Sequence, residues 1–331
     1  MAMMTHRGFR LMAAAVPLAV LVVSTAACTE TSGDGRGDRP RSRLTYAPGT
    51  TRTPPAPRGS LPGDSADSVA IRVDVLGGMV TVDMQAVRLP SVVVYQDGRV
   101  ITRDPSPAGG PGPALPALQL RRISAADVQK LVDLAVAAGV GGDRDFGQPR
   151  ITDSSTTRFT VRTADGVRTT SVYALSEYTP AMGGSELTAR QRSAREALEQ
   201  LQDALTDLPT TLGPRAVSEP EPYTPAAVAA FVEPRPEGCP SAPSGGGPLA
   251  GCDPATGTGV PAWPGPSLPG EPFGSLTRTT CATVSGDQAR ELLAVARTAV
   301  STTRWTSDGR QWMVRFRPLL PDETGCADLL P

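Results

Sequence analysis

Ser91-Val92-Val93-Val94-Tyr95-Gln96-Asp97-Gly98-Arg99-Val100-Ile101-Thr102-Arg103 sets two apolar, β-branched runs on either side of an Asp-Gly pair. That arrangement is a strong hairpin signal, because a two-residue I′ turn needs positive φ at both central positions. Asp-Gly recurs at Asp165-Gly166, between runs at 158–163 and 167–175, and at Asp308-Gly309, between Arg304 and the run 311–317. Upstream, Val69, Ile71, Val73 and Val75 alternate with Ala70, Arg72, Asp74 and Leu76, a period of two that turns one face toward a core. Three hairpins and an alternating strand make antiparallel sheet the expected framework.

Helix signals lie between the strands. Ser124 with Asp127 resembles a capping box, Val128, Leu131, Val132, Ala135 and Val136 form one face, and Gly139 marks the end. Thr188 with Gln191 opens a second helix, whose face is Ala194, Ala197, Leu198, Leu201, Leu205 and Leu208, with Pro209 closing it. Thr224-Pro225 reads as an N-cap and first-turn pair for a short third helix through Val232. Ser285 with Gln288 starts a fourth, with Ala289, Leu292, Leu293, Ala296 and Ala299 facing inward.

The fold class is therefore α+β, with helices packed on antiparallel hairpins. Two segments share the order strand, helix, hairpin: one runs from Leu118 through the Ser124 helix to the Asp165-Gly166 turn, the other from Thr279 through the Ser285 helix to the Asp308-Gly309 turn. The expected organisation is a signal peptide at 1–27, a tether at 28–67, an α+β domain at 68–232, an insertion at 233–276 and a C-terminal unit at 277–331. The last is short enough to need packing on the first or a disulfide.

The first ten residues carry Arg7 and Arg10 and lead into an apolar run from Leu11 to Val23, a charged segment followed by a short hydrophobic one. Ser24-Thr25-Ala26-Ala27-Cys28 resembles the lipobox of bacterial lipoprotein precursors, with Thr25 where that family usually has Leu. The resemblance implies that Cys28 takes fatty acyl chains such as palmitate and becomes the first mature residue. The protein would then be lipid-anchored on the extracytoplasmic face of the cell membrane, with membrane lipid as one partner. Two or more chains anchor stably where one does so only marginally. The following segment holds Pro40, Pro48, Pro54, Pro55, Pro57 and Pro62 among small and polar residues, so a disordered tether is expected. Its reach would be roughly 35 Å.

Composition excludes several chemistries. His6 is the only histidine and lies in the expected signal peptide, which removes Ser-His-Asp and Cys-His systems and histidine-ligated metals from the mature chain. Lys130 is the only lysine, and no P-loop or dinucleotide-binding glycine motif occurs. Without residues 1–27 the chain has 30 basic and 33 acidic side chains, which does not suit nucleic acid. No cofactor is expected.

Cys239, Cys252, Cys281 and Cys326 remain as an even set in an exported chain, where disulfides are the default. Of the three pairings, neighbours in sequence are favoured, Cys239 with Cys252 and Cys281 with Cys326. The insertion at 233–276 contains 11 Pro and 10 Gly, which argues against regular structure there. Trp263 within it is either a partner-binding anchor or a ring packed on the domain, the second being favoured.

Two candidate sites stand against blander readings. Asp143 and Asp145, in Gly142-Asp143-Arg144-Asp145-Phe146-Gly147, have the alternate spacing a hard cation requires, but the loop lacks the remaining EF-hand positions and reads better as a solvated connection. Asp143, Asp145, Asp153 and Glu177 could furnish paired carboxylates for hydrolysis of a cell-wall polymer. The main expectation is instead a non-enzymatic binding or interaction module of the cell envelope, with an envelope protein or cell-wall partner of unknown identity.

The segments Leu89-Pro90-Ser91 through Thr102, Thr156-Thr157-Arg158-Phe159-Thr160-Val161 and Arg317-Pro318-Leu319-Leu320-Pro321-Asp322-Glu323-Thr324 resemble uncharacterised lipoproteins of high-GC Gram-positive bacteria. That resemblance implies the location and the α+β fold, and no activity.

Overall fold

A computed structural model of the chain describes residues 65–104, 111–178, 187–233, 260–274 and 279–330, all within the compact unit Arg58–Pro331. The expected signal peptide, Cys28, the tether up to residue 64, and Cys239 and Cys252 lie outside the described residues.

Two antiparallel sheets carry the fold. The first contains β1 (Val69–Gly77), β2 (Val92–Tyr95), β3 (Arg99–Arg103), β4 (Leu118–Arg122), β5 (Ser155–Thr163), β6 (Gly166–Tyr173) and the two-residue β7 (Glu221–Pro222), in the order β6-β5-β1-β2-β3-β4-β7. The second contains β8 (Ala227–Glu233), the two-residue β9 (Glu271–Pro272), β10 (Thr280–Ser285), β11 (Arg304–Ser307) and β12 (Arg310–Pro318), in the order β11-β12-β8-β10-β9. The helices are α1 (Val82–Ala86), α2 (Ala125–Ala138), α3 (Ala189–Thr206), α4 (Leu208–Leu212) and α5 (Gly286–Ala296). The mixture of helix and antiparallel sheet is the α+β class that the sequence implies.

All three Asp-Gly hairpins form, by different turns. Only Asp308 and Gly309 both have positive φ, 50° and 71°, and Ser307 pairs with Arg310 across a two-residue turn. At the other two sites the glycine alone has positive φ: Gly98 closes a turn by donating its N–H to the Tyr95 carbonyl at 3.0 Å, and Gly166 pairs with Thr163. The glycine is thus the fixed requirement and the preceding aspartate is not.

Two of the expected helix caps also form. Ser124 Oγ accepts from the Asp127 N–H and Gly139 takes the left-handed conformation at the C-terminus of α2. Thr188 and Gln191 make a reciprocal capping box on α3. Val136 faces outward at 39% exposure, so the buried stripe of α2 is Val128, Leu131, Val132 and Ala135. Pro209 opens α4 rather than simply ending α3; Asp207 caps that short helix. Ser285 precedes α5 without a side-chain cap bond.

One expected element changes class. Most of the stretch 225–232, read as a helix, belongs to β8, paired with β10 on one side and β12 on the other. Thr224-Pro225 and four alanines satisfy helix rules locally, but Val228 to Val232 are at most 1% exposed on both faces of the sheet. Small side chains fit a central strand covered on both faces, where alternation disappears and length alone cannot separate strand from helix. The second sheet therefore begins before residue 233 and takes its central strand from the region assigned to the first domain.

The two strand-helix-hairpin segments share their order but not their docking. After α2 the first strand of the hairpin, β5, joins β1; after α5 the second strand, β12, joins β8.

Each sheet has a helix-covered core. Ile71, Val73, Val92, Val94, Phe159 and Val161 pack under α2 and α3, and Val228, Ala230, Val232, Val284 and Phe316 pack under α5. Strand β1 buries residues on both faces, because Ala70 and Asp74 are also covered. Two smaller clusters join the halves: Leu320 packs among Leu89, Val93, Tyr95, Ile101 and Leu118, and Ala86 of α1 packs with Phe231, Phe273, Cys281 and Leu319. Ala114, between β3 and β4, donates its N–H to the Ala299 carbonyl at 3.0 Å.

Charged groups complete the junction. The Tyr95 hydroxyl donates to Asp322 Oδ1 at 2.5 Å, while Arg72 reaches Asp322 Oδ2 at 3.0 Å and Glu323 Oε1 at 3.1 Å. Arg317 holds Glu323 with two bonds of 2.6 and 2.8 Å, and the Leu320 N–H donates to the same carboxylate at 3.0 Å. The Arg317 and Glu323 side chains are only 3% and 4% exposed. Burial pushes the Glu323 carboxyl upward, but the Arg317 hydrogen bonds and charge outweigh it and hold the group below the usual range. Burial and the neighbouring Asp322 carboxylate push the Tyr95 hydroxyl far above the usual tyrosine range.

A carboxyl whose folded pKa is depressed stabilises the fold fully above its unfolded value, about 4.3 for Glu, and that contribution disappears as pH falls through the folded value. Urea unfolding across that range should show stability falling with acidification, with a shallower fall in Glu323→Gln. The same variant should lose about 3–5 kcal/mol at neutral pH, because Arg317 is left buried and unpaired. Unchanged stability at neutral pH would show that the pair is dispensable.

Candidate functional site

The carboxylates singled out in the sequence do not share one arrangement of contacts. Asp145 Oδ1 accepts from the Gly147 N–H at 2.8 Å and Oδ2 from Gln191 at 2.9 Å, tying its loop to the capping box of α3. These bonds, the Gly147 N–H foremost, hold its carboxyl below the usual range. Arg144 donates to the Ala137 and Ala138 carbonyls at the end of α2, both at 3.0 Å. Asp143 and Asp153 are exposed, and Asp153 has φ 56°. No group of three or more potential metal ligands occurs among the described residues. The loop 142–147 thus closes helix ends with its polar groups.

Glu177 is half-buried and accepts from the Ser155 hydroxyl at 2.5 Å and, more loosely, from its N–H at 3.3 Å. Burial raises its carboxyl, but the Ser155 bond and neighbouring donors outweigh that and leave it below the usual range. A general acid for glycoside cleavage needs a raised pKa, the opposite of what surrounds Glu177 and Asp145.

Arg195, which the apolar reading of α3 passed over, lies beside Glu177 and is 2% exposed. Its guanidinium donates to the Phe146 carbonyl at 3.2 Å, Tyr173 at 3.0 Å and Ala174 at 2.5 Å, and lies 5.3 Å from the centre of the Tyr178 ring. It fastens α3 to the ends of β6 and the 142–147 loop. The available signal was its position three residues before Leu198 on the buried stripe.

Trp263 is a packed ring. It is 8% exposed, stacks on Phe316 at 6.0 Å with planes 7° apart, meets Trp305 edge-on at 5.9 Å, and donates its indole N–H to the Pro266 carbonyl at 2.6 Å. The ring is packed on the domain, the arrangement the sequence favours, and is too buried to serve as an exposed anchor.

The concave feature that emerges is a groove of about 560 Å³ along the outer edge of the second sheet. That volume falls in the range of small-ligand sites, about 300–1,000 Å³. Its sides are the segment 266–274 with β9, the middle of β10, and the turn 325–330. Phe273, Pro272, Ala282, Ala327 and Leu330 make it largely apolar, and Glu271 is the one charged side chain lining it among the described residues.

The Cys281–Cys326 disulfide also lines the groove, with Cα atoms 6.1 Å apart. It closes a 45-residue separation, worth about 4 kcal/mol by the chain-entropy estimate. The Cys281–Cys326 pairing is the one the sequence favours. Thr283 Oγ1 accepts from the Cys326 N–H at 3.1 Å, pinning the turn. At Gly270, φ is 82° and a Cβ would lie 2.6 Å from the Cys281 carbonyl oxygen, so only glycine lets this wall approach β10.

No protein-family model, curated protein or solved structure matches the chain.

Because Trp263 fills a core, Trp263→Ala should cost about 3–5 kcal/mol, read as a lowered urea midpoint with an unchanged slope. A loss under about 0.5 kcal/mol would instead place the ring at the surface.

Proposed function

We propose that the chain is a membrane-anchored, extracytoplasmic lipoprotein of the cell envelope that acts as a non-enzymatic binding module. The address rests on Ser24-Thr25-Ala26-Ala27-Cys28 after a charged and then apolar leader, which resembles a lipobox. The apolar run Leu11 to Val23 is shorter than the roughly 20 residues a membrane-spanning helix needs, so anchorage is assigned to acyl chains on Cys28. The tether at 28–67 would space the folded part from the bilayer.

The observation that carries the binding reading is the disulfide-lined groove, a concave apolar surface held by a covalent bond and a close glycine contact. Hydrolysis by paired carboxylates has weaker support, since Asp145 and Glu177 are each engaged by separate partners that favour their charged forms.

Two variants test the halves separately. Cys28→Ala should move the protein from the detergent-rich to the aqueous phase of a Triton X-114 split; an unchanged partition would refute the anchor. Ala327→Arg puts a charge into the groove from an exposed position and should abolish partner recovery in a native-membrane pull-down with the intact chain. Full recovery would refute the groove as the binding surface.

A further inference from the structure

The edges of the two sheets are not closed alike. In the first sheet the edge strand β7 is two residues long and ends on Pro222, and in the second β9 is two residues long and ends on Pro272. Neither proline offers an N–H to a further strand. The edge strand β11 is screened by the segment before Trp263. The Trp263 N–H donates to the Thr306 carbonyl at 2.8 Å, and the Thr306 N–H donates to the Pro261 carbonyl at 2.9 Å. Short strands, proline and a covering segment are common ways of shutting an edge to outside pairing.

Strand β6, at the remaining edge, has none of these protections. It is eight residues long, contains no proline or lysine, and pairs with β5 in one unbroken register from Thr156–Tyr173 to Thr163–Gly166. In an antiparallel ladder alternate residues turn their N–H and C=O groups away from the paired strand. Among the described residues, the main chain of β6 bonds outside its hairpin only where the Tyr173 carbonyl accepts from Arg195 at 3.0 Å. Its outer face carries Val167, at 54% exposure, with Thr169 and Ser171. Its one charge, Arg168, is held by Asp165 of its own turn at 2.8 Å.

The strand is also complementary to itself. A further strand must set side chains of the same face opposite one another, since a slip of one residue turns them all over. Two antiparallel copies of β6 about a two-fold axis through Thr170 meet that condition over residues 167–173. Val167 then faces Tyr173 of the second copy, Thr169 faces Ser171, and Arg168 faces Val172. β-branched with aromatic and hydroxyl with hydroxyl are favourable cross-strand pairs, and no like charges are opposed. An axis through Arg168 would instead set arginine against arginine. A two-fold contact of this kind closes on itself and does not propagate into a fibre.

We infer that β6 is a self-association edge, through which two copies of the chain join their first sheets into one continuous antiparallel sheet. This goes beyond the binding reading above and leaves the groove free.

Sedimentation equilibrium of the mature chain with Cys28→Ala, which needs no detergent, tests it. The chain should form a reversible dimer. Thr169→Lys combined with Ser171→Lys sets lysine against lysine on both sides of the axis and should raise the dissociation constant at least tenfold. Thr169→Glu combined with Ser171→Glu should do the same, and mixing the two variants should restore a one-to-one dimer within about threefold of the parent. Ala294→Lys with Thr298→Lys, exposed positions on and just after α5, should leave the dimer intact. A monomeric parent chain, a dimer that survives both charged variants, a mixture that stays monomeric, or equal loss in the α5 control would overturn the inference. None of these results bears on the Ala327→Arg pull-down, so the two readings fail separately.

Discussion

Glu323 sits between two arginines from opposite halves of the molecule. Arg317 reaches it from the second sheet and Arg72 from the first, while its neighbour Asp322 takes the Tyr95 hydroxyl. A carboxylate that is 4% exposed is tolerable only because these groups replace the water it has lost. The apolar contacts around Leu320 exclude solvent from the same junction, so packing and charge reinforce each other there. The bonds themselves add modest net free energy, since desolvation offsets much of the attraction. What they confer is registration: one short C-terminal segment fixes where the two sheets meet.

Much of the secondary structure was legible because its signals are local. Ser124 and Thr188 cap the helices they precede, and Gly98, Gly166 and Gly309 supply the backbone conformations their turns require. Strand β8 was not legible, since Thr-Pro and alanines spell a helix start when read alone. Its identity comes from pairing on both edges with strands that lie farther along the chain. The junction was hidden for a related reason. Arg72 and Asp322 stand 250 positions apart, and a sequence shows that each is charged without showing that they meet.

The candidate site divides in the same way. The Cys281–Cys326 bridge was accessible from cysteine parity and the export that the leader implies, but the groove beside it was not, because its walls come from three separate segments. Of the acids that drew attention in the sequence, Asp145 serves neighbouring backbone and capping groups, a common use of short acidic side chains in loops. Arg195 shows the converse: a charged residue on an apolar stripe becomes structural when three backbone carbonyls surround it.

The joined character of the two sheets can be measured directly because Trp263, Trp305 and Trp312 all belong to the second sheet or pack near it. Urea unfolding followed by tryptophan fluorescence reports that half, and hydrogen exchange of the β1 and β5 amides under the same conditions reports the other. Coincident transitions in the native protein, separating when Asp322→Asn and Glu323→Gln are combined, are the predicted result. Separate transitions in the native protein, or transitions that still coincide in the double variant, would contradict the role given to Glu323 and its partners.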